Sequence, residues 1–135
     1  MPLLVDTGIL YALADRRDEW HARTRTYLKE HPQALLAPVT ILPEVAYLLR
    51  ERIGAQAEAA FVASLAAGEI AVEPLAQQDL ARAEALMATY DQLGFVDVSI
   101  VAMTERLKLA TLATTDRRHF RVVRPAHVER LTLVP

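Results

Sequence analysis

The stretch Leu3-Leu4-Val5-Asp6-Thr7-Gly8-Ile9-Leu10-Tyr11-Ala12-Leu13-Ala14 decides the fold. Pro2 to Val5 reads as a short buried strand, apolar at every position as strands inside parallel sheets are. It breaks at Asp6-Thr7-Gly8, and Ile9 to Ala14 reads as helix. A strand that runs straight into a helix opens a βα unit. It also leaves an acid, Asp6, at the strand's carboxyl end.

The same alternation continues outward. Asp18 is placed to cap a helix carrying Trp20, Thr24, Tyr27 and Leu28 on one stripe. Ala34 to Ala37 reads as a second strand, and Thr40 as the cap of a helix to about Arg52, with Pro43 tolerable in its first turn. Alanine-rich helix covers Ala55 to Ala67 and ends at Gly68; Ile70 to Val72 is a third strand. Helix follows over Asp79 to Tyr90, with Leu80, Ala83, Leu86, Met87 and Tyr90 in register, and again over Asp97 to Lys108. Leu112 to Thr114 and Leu131 to Val134 supply two more strands. Short apolar strands between helices predict a three-layer α/β/α sandwich around a central, mostly parallel sheet. With 135 residues and no linker or repeat, the expectation is one domain over 1–135.

Four acids interrupt apolar sequence: Asp6 after the first strand, Glu44 within Ile41 to Leu49, Asp97 before Val98 to Met103, and Asp116 after Leu109 to Thr115. At 100° per residue Glu44 falls between Ile41 and Leu48 on an apolar stripe, and Asp97 shares a face with Ile100, Val101 and Thr104, so neither is expected on a solvated side. Each has an ordinary reading alone. Asp6 and Asp97 suit helix N-caps, Asp116 a turn paired with Arg117-Arg118, and Glu44 a buried pair with an arginine. One metal site explains all four together. Parallel sheets bind ligands at the carboxyl ends of their strands, where all four can gather. Desolvating a carboxylate costs several kcal/mol unless a cation compensates it, and hard divalent cations take such oxygen ligands. Thr7, Ser99, Thr114 and Thr115 are close enough in sequence to hydrogen-bond the carboxylates.

Composition narrows the classes. The chain has no cysteine, which excludes disulfides, zinc thiolate sites and cysteine nucleophiles and suits a reducing cytoplasm. No segment approaches the roughly 18 to 20 apolar residues of a membrane span, so the expectation is a soluble cytoplasmic protein. The net charge is −2; of 17 acids, 13 lie outside the four, against 15 Lys and Arg, so the rest of the molecule carries +2. Net charge therefore neither supports nor excludes RNA.

Leu-Val-Asp-Thr-Gly at the start, Pro-Glu-Val on a helix, Gly-Phe-Val-Asp-Val-Ser-Ile-Val-Ala, and Ala-Thr-Thr-Asp-Arg-Arg-His-Phe together resemble PIN domains, and among them the VapC-like ribonuclease toxins of bacterial toxin–antitoxin pairs. The likeness runs from Leu3 to Phe120. It implies that Asp6, Glu44, Asp97 and Asp116 bind Mg²⁺ or Mn²⁺ and that the chain is an endoribonuclease cleaving phosphodiesters with metal-activated water. It also implies a homodimer silenced by a small antitoxin. The apolar stripe of Trp20, Tyr27 and Leu28 and the face of Ala55 to Ala67 would be the surfaces for partners, or core.

Arg16-Arg17 and Arg117-Arg118 are the candidate phosphate contacts, with His119 beside them, while His21 reads as local helix-start structure. Competing readings are a non-catalytic binding module on the same scaffold and another acid-site α/β phosphohydrolase. A phosphoryl-aspartate phosphatase would carry a second aspartate where Gly8 stands, and singly scattered glycines exclude the usual nucleotide-binding fingerprints.

Overall fold

The computed structural model describes residues 1–135. Five strands, β1 (Leu3–Val5), β2 (Leu35–Pro38), β3 (Ile70–Glu73), β4 (Thr111–Ala113) and β5 (Thr132–Val134), form one sheet in the order β3-β2-β1-β4-β5. Every pairing is parallel, so the sheet is wholly rather than mostly parallel. Leu4 pairs with Leu36 on one side and Leu112 on the other. This central position explains why β1 is buried throughout while Ala71 and Val72 on edge strand β3 are exposed.

Helices α1 (Thr7–Ala14) and α2 (His21–Glu30) connect β1 to β2, and α3 (Leu42–Arg52) and α4 (Ala55–Ala66) connect β2 to β3. Both connections step the same way across the sheet. The next, through α5 (Gln77–Thr89) and α6 (Phe95–Leu107), steps back past β2 and β1 to β4. Parallel crossovers are right-handed, so α1 to α4 cover one face and α5 and α6 the other. The packing agrees: α1 contacts α2 and α3, α3 contacts α4, and α5 contacts α6. The direction in which the chain winds across the sheet reverses between β1 and β4, which makes their carboxyl ends the switch point of the sheet. The core joins Leu3 to Val5, Ile9, Ile41, Val45, Leu49, Ile100, Met103, Leu112 and Phe120.

Several boundaries differ from expectation for local reasons. Asp18 does not cap α2: its carboxylate accepts from the Trp20 N–H (2.9 Å) in the preceding turn, and the helix starts at His21. Thr40 does not cap α3; it sits in a 3₁₀ turn, Val39–Ile41, and its hydroxyl meets Ser99 at 2.8 Å. Helix α5 starts two residues before Asp79, which accepts from the Ala76 N–H (2.9 Å). Leu80 and Met87 lie outside its buried stripe of Ala83 and Leu86. The short α7 (Arg117–Arg121) is additional.

Candidate metal centre

Asp6 and Asp116 close the two strands that flank the switch point, and each caps the helix that follows. The Asp6 carboxylate accepts from the Ile9 N–H (3.2 Å) and the Asp116 carboxylate from the His119 N–H (3.2 Å). The capping reading of Asp6 thus holds beside a ligand role, because a carboxylate offers about four acceptor sites and a cap uses one. Thr114 joins the two acids. Its buried hydroxyl donates to the second carboxylate oxygen of Asp6 and accepts from the Asp116 N–H (2.8 Å).

All four expected acids line one open cleft of about 430 Å³, with Gly8, Phe95 and Thr115 among its other walls. Asp6 is buried, Asp97 and Asp116 are partly buried, and Glu44 is exposed. The expectation that Glu44 avoids a solvated side is therefore corrected. The stripe of α3 is buried at Val45 and Leu49, whereas Glu44 in the first turn projects into the cleft. Asp97 lies in the first turn of α6, whose amino-terminal cap is Gly94. Gly8 is needed where α1 passes the loop after β4, since a Cβ there would stand 2.0 Å from the Thr115 hydroxyl oxygen.

Not all four approach one another equally. Asp97, Asp116 and His119 bring one ligand atom each within 4.8 Å of the others. His119 is the member that sequence reading left outside the set. Its Nδ1 lies 2.7 Å from Asp116, one helical turn before it, and that i,i+3 spacing behind an acid was the available signal. Of the four expected hydroxyl partners, only Thr114 bonds a carboxylate of the cleft; Ser99 bonds Thr40 and donates to the Val96 carbonyl (2.6 Å).

The electrostatics single out these acids. Burial pushes the Asp6 carboxyl up to about 6 against the opposing pull of its Thr114 and Ile9 hydrogen bonds, and the charges of Asp116 and Asp97 push it the same way. Asp97 is likewise raised, by burial first, then by Asp116 and, among the smaller effects, by Glu44. Bonding to Asp116 raises His119. No lysine or arginine pairs with Asp6, Glu44, Asp97 or Asp116. Buried acids elsewhere are treated differently. Asp79, 1% exposed, takes a two-pronged bond from Arg106 at 3.0 Å, and Glu105 one from Arg82 at 2.7 and 3.1 Å. A cleft of carboxylate oxygens short of cations fits a hard divalent ion such as Mg²⁺ or Mn²⁺.

Of the candidate phosphate contacts, Arg117 donates to the Pro135 carbonyl, while Arg16, Arg17 and Arg118 are exposed. His21 Nδ1 sits 2.6 Å from the Ala12 carbonyl, in keeping with a local structural role.

The PIN domain family model matches residues 3–125. The chain belongs to the PIN domain family. It is similar to Ribonuclease VapC26 of Mycobacterium tuberculosis, with 28% identity over 98% of this chain and 100% of that protein. Among solved structures it resembles Mycobacterium tuberculosis VapC20, a Sarcin-Ricin loop cleaving toxin, with a TM-score of 0.78 and 21% identity over 86% of this chain and 91% of that one. It also resembles a chain of a toxin–antitoxin complex from Klebsiella pneumoniae, with a TM-score of 0.70 and 22% identity over 90% and 92%. These structural likenesses bear out the α/β sandwich of this PIN domain. No helix in it is long and apolar enough to cross a membrane.

Proposed function

We propose that this PIN domain, a single unit over 1–135, is a divalent-metal-dependent endoribonuclease and the toxin of a toxin–antitoxin pair. The observation that carries the reading is the set of four carboxylates in one cleft with no arginine or lysine partner, in a molecule that gives its other buried acids one. The likeness to Ribonuclease VapC26 supports RNA as substrate.

In this reading Asp6, Glu44, Asp97 and Asp116 hold Mg²⁺ or Mn²⁺. A bound divalent ion would lower the pKa of water and stabilise charge on phosphate oxygens. The protein's own part is orientation. Thr114 and the Ile9 N–H fix the Asp6 carboxylate in one rotamer, and the α7 N-terminus fixes Asp116. Water oxygen bonds to phosphorus, the bond from phosphorus to the 3′ oxygen breaks, and that oxygen leaves as a hydroxyl after taking a proton. The products carry 3′-hydroxyl and 5′-phosphate ends.

One observation favours a second reading. The His119–Asp116 pair resembles a histidine base held by a carboxylate, and such a base would activate the RNA 2′-hydroxyl. Incubation with a mixed RNA pool and sequencing of product ends decides between them. The metal reading expects 5′-phosphates and loss of cleavage in excess EDTA. Cyclic 2′,3′-phosphate ends, or full activity in EDTA, would move the chemistry to His119.

The partner proposal is a homodimer inhibited by a small antitoxin. An anionic cleft suits an arginine or lysine side chain from such a protein. The apolar groove between α1, α3 and α4, lined by Leu10, Leu13, Leu49, Phe61 and Ile70, offers a seat for an amphipathic helix. Light scattering of the isolated chain and RNA cleavage after co-expression with the adjacent small reading frame test it. A strict monomer without an inhibitory neighbour would remove the toxin role and leave the nuclease chemistry.

A further inference from the structure

A cleft of four carboxylates repels a polyanion, so a strand of phosphates needs a cation beside the cleft rather than in it. A second cavity of about 310 Å³ adjoins the acid cleft, and Gly8 and Thr115 line both. Its one lysine or arginine is Arg52, in the last turn of α3. Arg52 is exposed and pairs with no carboxylate. The arginines around it are committed elsewhere. Arg50, two residues earlier, meets Glu58 at 2.6 Å. The Arg23 and Arg117 guanidiniums lie 4.3 and 5.8 Å from the Trp20 ring and line neither cavity.

Arg52 is also held in place. Its guanidinium lies 5.1 Å from the Tyr11 ring. That ring is buried, and its hydroxyl donates to Asp15 at 2.5 Å. A guanidinium resting one face on an aromatic ring keeps its in-plane N–H groups free, and their fork matches two oxygens of a phosphate. The acids of the second cavity do not cancel the charge. The Asp18 carboxylate is engaged by the Trp20 N–H (2.9 Å), and Glu19 is exposed, where water and salt screen it.

We propose that Arg52 holds the substrate phosphate next to the one that is cleaved, and that the strand leaves the acid cleft over Gly8 and Thr115. The inference rests on the ribonuclease reading and adds to it a substrate-positioning residue and the path of the backbone. A contact to phosphate carries no sequence information, so Arg52 sets register and not base preference.

The salt dependence of binding gives a readout apart from activity. A labelled RNA oligonucleotide of mixed sequence would be titrated by anisotropy at a series of salt concentrations, with Ca²⁺ in place of Mg²⁺. Loss of one phosphate contact lowers the slope of log Kd against log salt by about 0.7. Arg52→Gln should show that drop and raise Kd about fivefold at low salt. Arg52→Lys keeps the charge and should hold the wild-type slope. Arg50→Gln, on the same helix but engaged by Glu58, should leave the slope unchanged. Mn²⁺ affinity should be equal in every variant, which shows an intact cleft. Sequenced product ends locate the cleaved bond, and a neutral methylphosphonate at one of the two adjoining positions should weaken binding by wild type and not by Arg52→Gln. An Arg52→Gln slope equal to that of wild type, an equal drop in Arg50→Gln, or methylphosphonates that weaken both proteins alike overturns the inference, while cleavage by the wild type keeps the ribonuclease reading. A wild type that binds Mn²⁺ but neither binds nor cuts RNA overturns both.

Discussion

The Thr114 hydroxyl donates to the Asp6 carboxylate across 108 residues of chain and accepts from the Asp116 N–H, so one buried side chain ties together the ends of the two strands at the switch point. The order of the sheet makes β1 and β4 neighbours, and the two acids inherit that adjacency.

Thr114→Val should therefore damage both acids at once. It removes a donor from Asp6 and an acceptor from the Asp116 N–H at nearly constant volume, leaving buried polar groups unpaired at about 1–3 kcal/mol. Urea denaturation of the metal-free protein should show that loss, together with weaker Mn²⁺ binding. Thr114→Ser keeps the hydroxyl and should restore both. A valine variant as stable as wild type would mean that the link does not organise the site.

The metal-free protein should lose stability as pH rises from about 4 to 6. The Asp6 carboxyl is held near 6 in the folded chain against the usual 3.8. Below 3.8 it is neutral in both states and costs nothing. Between the two values the unfolded chain ionises first and gains; above 6 the full penalty, on the order of 3 kcal/mol, is in place. The raised Asp97 adds in the same direction. Asp6→Asn should flatten this dependence, and saturating Mn²⁺ should offset it above pH 6. Thermal denaturation in EDTA across this range checks the sign; stability that climbs through the window would contradict it.

Arg106→Leu separates the two classes of buried acid. It leaves Asp79 without its cation, and breaking such a pair costs about 3–5 kcal/mol. Denaturation should show a large loss while calorimetry shows Mn²⁺ affinity unchanged. A comparable loss of metal affinity would mean that the acids around α5 belong to the binding site.

The architecture was legible because each strand is short, apolar and followed by a helix, and that pattern survives without tertiary information. The helix starts were less legible. Asp18 and Thr40 have capping side chains at plausible distances, but a turn and a 3₁₀ segment claimed them, and that choice is made by packing. Asp6, Glu44, Asp97 and Asp116 could be listed from sequence since each interrupts apolar sequence. Their unequal exposure could not, because it depends on where the cleft opens. Asp79 and Glu105 show the limit of the criterion. Both are buried acids beside polar neighbours in the chain, and only the arginines reaching them from distant positions, Arg106 and Arg82, reveal that they are structural. His119 was visible as a neighbour of Asp116, but its pairing depends on α7, which sequence periodicity is too short to show.

The claim that the cleft acids lack a cation because a divalent metal supplies it is tested most directly by calorimetric titration of Mn²⁺ into wild type and Asp97→Asn. Wild type should bind, and Asp97→Asn should bind at least about tenfold more weakly while being the more stable protein without metal, since it removes the burial cost of the Asp97 charge and its repulsion by Asp116 and Glu44. Equal Mn²⁺ binding by the two proteins, or none by either, would contradict the assignment.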